Sequence, residues 1–420
     1  MSDWSRRRFV QAFAASTGIA AAPAALPSVA AGDRPPCRIR TITAGVALPD
    51  LRDLRPVETA LAKLLRVRSA FMASGYEVQT VRLATSPVTE SLDAKRRERA
   101  LDSVRALDGL LQHHGAIGSI GPCARPEVYD AEAAPWVAEL IRTTAQLSCS
   151  IRVGSPDAGV SSAGARMAAE SIAAISRSIP GGLGNFRFAA AACVPAGTPF
   201  FPVAYHQGPD ALAVGLESAS LVAQAVNGVH GSREVTNRVR DTLNGALVPI
   251  ERLAATVAAS EGCDYLGIDP SPAPAMDRSI GAALEALTQQ PFGGSGTVDA
   301  CASVTAALRV LSVKTCGYAG LMLPVLEDPV LARRATEGRF GLRDLLLFSS
   351  VCGTGLDLVP IPGETPVPVL ERIVRDTAAL ATRWAKPLSA RLFLVPGKSV
   401  GDMAAFADPR LAECRVMETT

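Results

Sequence analysis

The chain carries almost no net charge, formally +2 over 420 residues, and the arginines of its first segment supply part of that. No basic surface is left to hold nucleic acid, and no acidic tail marks a basic partner. There is no Cys-x-x-Cys spacing and no pair of histidines at zinc-ligand distance, which argues against a structural metal site. No Lys-Ser/Thr follows a glycine-rich turn, and no strand runs straight into Gly-x-Gly-x-x-Gly, so the nucleotide and dinucleotide fingerprints are missing. Aromatic residues are scarce at 5%, yet hydrophobic residues reach 48%, so the core must be large and aliphatic. The partners that remain are a small molecule and a second copy of the chain; the composition names no cofactor.

The nine cysteines, at 37, 123, 149, 193, 263, 301, 316, 352 and 414, are scattered. Most lie in apolar runs, where a buried and inert thiol is the default. An odd number leaves at least one unpaired in an oxidising compartment.

Such a compartment is what the N-terminus predicts. Ser5-Arg6-Arg7-Arg8-Phe9-Val10-Gln11 has the form of a twin-arginine export signal, followed by the Ala-rich stretch Ala12–Leu26 and a small-residue cleavage site around Ser28–Ala31. The apolar stretch is shorter than the roughly 20 residues of a membrane span, and Gly18, Pro23 and Pro27 interrupt it. Residues 1–31 are therefore expected to be removed, leaving a single domain over 32–420 with no stable membrane anchor. The expected partner of the precursor is the twin-arginine export machinery, and the expected location is the periplasm or another extracytoplasmic space.

Beyond the signal, extended apolar segments alternate with helical patterns. Strands are expected at 39–48, 77–83, 116–120, 149–153, 186–193, 265–268, 320–325, 356–361 and 391–395. Helices are expected at 57–74, 92–114, 131–144, 163–178, 211–226, 234–259, 278–287, 298–311 and 365–384, with Gly75 and Gly115 as stops. Repeated strand–helix alternation without a linker favours one α/β sheet, closed into a barrel or doubly wound.

In such folds ligands meet the loops at strand ends. Cys352 sits on a turn flanked by Gly353 and Gly355 with Asp357 following, an accessible setting for a nucleophile or a tight structural turn. His206 follows an apolar segment and precedes Gly208-Pro209, where an imidazole can act as acid or base. Asp269 ends a strand before a stiff Pro-Ser-Pro-Ala-Pro turn that pins a carboxylate. Ser155 and Asp157, Ser295 and Thr297 in two Gly-rich loops, and Lys398 are candidates for holding an anionic group. A metal held by His206 with Asp269 and Asp357 is a further alternative.

Several motifs together resemble one family: Arg40–Val46, Phe201–Gly208, Asp269–Pro274, Gly320–Asp328, Cys352–Pro366, Val395–Lys398 and Gly401-Asp402 are similar to domain of unknown function 711. The resemblance implies a ten-stranded β/α barrel like that of the pyruvate formate-lyase type of glycyl-radical enzymes. It does not imply their chemistry, because the segment 403–420 has no radical loop and an exported protein meets oxygen. Residues 192–198, Ala-Cys-Val-Pro-Ala-Gly-Thr, replace the family's Asn and acidic residues before the histidine, which points to a different substrate. The combined expectation is an enzyme acting on a small polar or anionic metabolite through Cys352 and His206, with Asp269 and Asp357 orienting. The alternative is a non-catalytic binding or sensing protein using the same pocket.

Overall fold

The computed structural model describes residues 37–229 and 231–419; the export signal expected over 1–31 lies outside them. Ten strands form one sheet: β1 (Arg38–Val46), β2 (Val78–Thr85), β3 (Ile117–Pro122), β4 (Leu147–Ser155), β5 (Gly159–Val160), β6 (Phe188–Ala192), β7 (Ala211–Glu217), β8 (Asp264–Asp269), β9 (Gly355–Pro362) and β10 (Leu388–Val395). Their order is β8-β7-β1-β2-β3-β4-β6-β10-β9, with β5 hairpinned onto β4.

Direction divides this mixed sheet. β1, β2, β3, β4 and β6 run parallel to one another. The parallel pairs β7–β8 and β9–β10 flank them, β7 antiparallel to β1 and β10 antiparallel to β6. The two end strands do not pair with each other. Isolated bridges instead join β8 to Thr315 and β9 to Pro324.

Both faces of the sheet are buried. Along β6 the side chains alternate: Phe188, Ala190 and Ala192 join the large core under the helices, whereas Ala189 and Ala191 join a smaller cluster with Phe200, Val203, Ala273, Tyr318 and Met322. The helices cover the outer face by amphipathic stripes, such as Val57, Leu61, Leu64, Val67 and Phe71 in the helix Arg55–Ala73. Gly75 and Gly115 adopt positive φ just past their helices, as stops require.

Two expectations fail locally. Residues 211–217, read as helical, form β7, because a run in which every position is buried has no period to distinguish strand from helix. Residues 320–325, read as a strand, contribute only the bridge at Pro324. Pro324 lacks an N–H, and Ala319 and Gly317 before it adopt positive φ, so the backbone turns rather than extends. Among the described residues no helix is long and apolar enough to cross a membrane.

Candidate functional site

A chain of ionised groups crosses the inner face. From β10, Arg391 donates through Nε to Asp357 Oδ1 on β9 at 2.7 Å and through Nη2 to Glu327 Oε2 at 3.2 Å. Arg40, from β1, donates through Nη2 to the other oxygen, Glu327 Oε1, at 3.0 Å, and its Nη1 lies 3.7 Å from Glu217 Oε2. Arg391, Asp357, Glu327 and Glu217 are all buried.

Strand irregularities place these groups. The β1–β7 register slips by one residue between Ile39 and Thr41, at Arg40. The β9–β10 register slips just after Asp357, where Leu358 takes a φ of 50°. An extra residue in one strand bends it and re-aims its neighbours; here that turns Arg40 and Asp357 toward Glu327.

Burial pushes the Asp357 carboxyl up from its ordinary range, against the opposing pull of Arg391. Burial acts on Glu327 in the same sense, but Arg40 and Arg391 outweigh it and hold that carboxyl below its usual value. Both Glu327 oxygens are therefore committed to arginines, whereas Asp357 Oδ2 has no hydrogen-bond partner among the described residues.

Beside this network lies a strap formed by 317–320. Asp269, at the end of β8, accepts from Ser271 N (3.1 Å), Ser271 Oγ (2.6 Å), Tyr318 N (2.7 Å) and Ala319 N (3.2 Å). Burial raises its carboxyl to about 6 despite those bonds, which favour the ionised form. Ser271 Oγ in turn accepts from Gly320 N at 3.1 Å. Tyr318 reaches on to donate to Ser389 Oγ on β10 at 2.9 Å, and the charges of Asp357 and Asp269 both bear on its phenol. Asp269 and Asp357 thus meet through Tyr318.

The other expected site residues are placed elsewhere. His206 is buried where β1 and β2 end: its N–H donates to Thr85 O at 2.9 Å, and Nε2 bonds Pro209 O at 2.7 Å. A carbonyl accepts only, so Nε2 carries a hydrogen, and Nδ1, packed on Gly45, has no hydrogen-bond partner among the described residues. Because β7 and β10 run against β1 and β6, Lys398, past the C-terminal end of β10, lies at the opposite end, and Asp269 lies between, level with Thr41 of β1 through Gly215.

Cys352 is fully buried rather than accessible, with its N–H on Phe348 O and its carbonyl accepting from Lys386 Nζ. The glycine beside it serves packing: Gly353 abuts Gly320 backbone to backbone, and a Cβ on either would come within 2.4 Å of the other's Cα. No hydrogen bond joins Cys352 to His206 among the described residues.

Ser155 accepts from Ala158 N within the β4–β5 hairpin, and Asp157 is exposed at its tip. Ser295 is exposed, Thr297 Oγ1 accepts from Gly293 N inside its own loop, and Lys398 is exposed in the turn after β10. These five lie on three separate turns: the β4–β5 hairpin, the loop 293–297 and the turn after β10. His206, Asp269 and Asp357 do not form a metal site either, since no group of three or more His, Cys, Asp or Glu able to hold an ion exists among the described residues.

The residues that sequence reasoning passed over are Arg40, Arg391, Glu327 and Arg82 on β2. A usable signal was present: a single arginine inside an apolar strand, as in Val81-Arg82-Leu83 and Ala390-Arg391-Leu392.

Comparison with known proteins agrees over most of the chain. Relatives include a UPF0210 protein of Pyrobaculum islandicum, 32% identical over 87% of this chain and 86% of its own length. A UPF0210 protein of Carboxydothermus hydrogenoformans is 26% identical over 88% of each chain, and UPF0210 protein NMC1568 of Neisseria meningitidis serogroup C is 25% identical over 88% of this chain and 87% of its own. Residues 33–408 match the family described as Uncharacterised ACR (DUF711). This chain belongs to the DUF711 family.

Proposed function

We propose that the protein is exported by the twin-arginine route, and that it binds a small polar metabolite on the inner face of its sheet and acts on it there. The segment 314–325 completes the sheet into a barrel in this reading, by bridging β8 and β9. The observation that carries the proposal is the buried chain Asp357–Arg391–Glu327–Arg40. Taking each ion out of water costs several kcal/mol, and well-packed apolar side chains of similar volume are often equally stabilising. A sheet interior built for stability alone gains nothing from such a network.

Asp357, with one oxygen uncommitted and its carboxyl raised by burial, takes the acid–base role, and Asp269 holds the strap that carries Tyr318. His206 and Cys352 serve at the opposite rim and beneath the strap respectively. A binding or sensing protein without turnover is the second reading, favoured by the full burial of Cys352, which has no hydrogen bond to His206 among the described residues.

A thermal-shift screen of small polar metabolites against the protein from the extracytoplasmic fraction tests the site. One chemical class is expected to raise Tm saturably, and Asp357→Asn, checked for native circular dichroism, is expected to abolish the response. A panel without any responder, or an unchanged response in the variant, overturns the proposal. Consumption of the responding compound separates enzyme from binder.

A further inference from the structure

One cation beside this network is left over. Arg82 on β2 is only 8% exposed, yet no carboxylate lies within ion-pair distance of it among the described residues. Its Nε donates to Thr80 Oγ1 at 3.1 Å, its guanidinium lies over the Phe201 ring at 5.0 Å from the centroid, and its two Nη groups have no acceptor among the described residues. The charges that bear on it are Arg40, Arg391 and Arg410, with Glu327 alone opposing them. Only Glu327 among these neighbours could accept from it, and both Glu327 oxygens are occupied by Arg40 and Arg391.

Other arginines inside the fold show what a structural role looks like. The half-buried Arg187 donates to the Ile141 and Leu147 carbonyls and to Thr144 Oγ1, and the buried Arg97 pairs with Asp130 at 2.7 Å and donates to the Leu92 carbonyl. Arg82 has neither carbonyls nor a carboxylate. A largely buried guanidinium that has no counter-ion is costly unless an anion completes it.

We propose that Arg82 is the receptor for the carboxylate of a small monoanionic metabolite, its two Nη groups donating to the two carboxylate oxygens. The planar fork of a guanidinium fits a carboxylate in bidentate fashion. The limit to one negative charge comes from how the neighbouring cations are spent: Arg40 and Arg391 are paired with Glu327 and Asp357, and Arg410 with Asp408, so a phosphate dianion would meet one uncompensated arginine. This assignment rests on the interior site proposed above and adds to it the ligand's chemical class.

The test uses sodium acetate and sodium phosphate against sodium chloride at matched ionic strength, read by thermal shift and calorimetry on the wild type, Arg82→Met and Arg82→Lys. Acetate is expected to raise the wild-type Tm saturably and more than phosphate does. Arg82→Met is expected to bind acetate at least about tenfold more weakly while melting higher than the wild type in chloride, because the uncompensated charge is gone. Arg82→Lys, which keeps the charge but loses the fork, should retain part of the response. Wild-type acetate affinity in Arg82→Met, or stronger binding of phosphate, overturns the assignment. If Arg82→Met binds acetate normally while Asp357→Asn loses its metabolite response, the interior site stands and only the role of Arg82 falls. If Asp357→Asn responds as the wild type does, the interior site itself falls.

Discussion

Asp269 shows how far a single residue is readable before folding. Its place before a Pro-rich turn marks a pinned carboxylate, and the structure pins it; what pins it is a strap nearly fifty positions away, which local sequence does not announce. A carboxyl raised to about 6 from an ordinary 3.8 binds its proton more readily folded than unfolded. Folding stability from this group therefore rises as pH falls from 6 toward 4, and the deficit is fully present at pH 7. The contribution is on the order of 3 kcal/mol, at about 1.36 kcal/mol for each pH unit between the two values. Asp269→Asn, which sets an amide N–H₂ against backbone donors, should lower Tm at pH 7 and flatten the wild-type gain between pH 7 and 5; thermal melts of both proteins across that range check it. An equal pH slope in the two proteins would place the titrating group elsewhere. Arg82 and Arg391 teach the complementary lesson. Each is visible in the sequence as a charge within an apolar strand, but a strand has two faces, and only the fold tells an inward arginine from one reaching solvent.

Among the elements, amphipathic helices and apolar strands were legible because burial on one face imposes a period of 3.6 and a strand buried on both faces reads as an apolar run. β7 was not, since alanine, leucine, valine and glycine buried at every position carry no period. The slips at Arg40 and Leu358 were invisible too, for a register shift is a relation between two strands and neither sequence holds it alone. Gly353 illustrates a right residue with the wrong reason: it frees no thiol but lets the turn before β9 touch the strap at Gly320. Gly320→Ala and Gly353→Ala should each force these backbones apart and destabilise by about 3 kcal/mol or more, the upper end of the cost of overpacking. Urea unfolding measures it, and a loss below 1 kcal/mol in both would show that the contact yields freely.

For the whole molecule, alternation of strand and helix foretold one α/β sheet, while the reversal of direction at β1–β7 and β6–β10 was not foreseeable, because apolar patterning carries no sign. That reversal separated residues expected to converge: His206 packs on Gly45 near the end of β1, whereas Asp269 lies level with Thr41 through Gly215. The proposed export rests on the first residues alone. Replacing Arg6 and Arg7 together by lysine should leave precursor in the cytoplasm, assayed by fractionation and immunoblotting; normal export of the double variant removes the twin-arginine reading. The pairing of β10 with β6 has a bearing on synthesis. β6 leaves the ribosome with one edge covered by β4 and the other bare, and its partner follows only after residues 193–387. At 5–20 residues per second that edge stays open for on the order of tens of seconds. An uncapped apolar strand of this kind is a template for wrong pairing between nascent chains, so β10, the last strand of this sheet to be made, closes the edge on which such pairing would start.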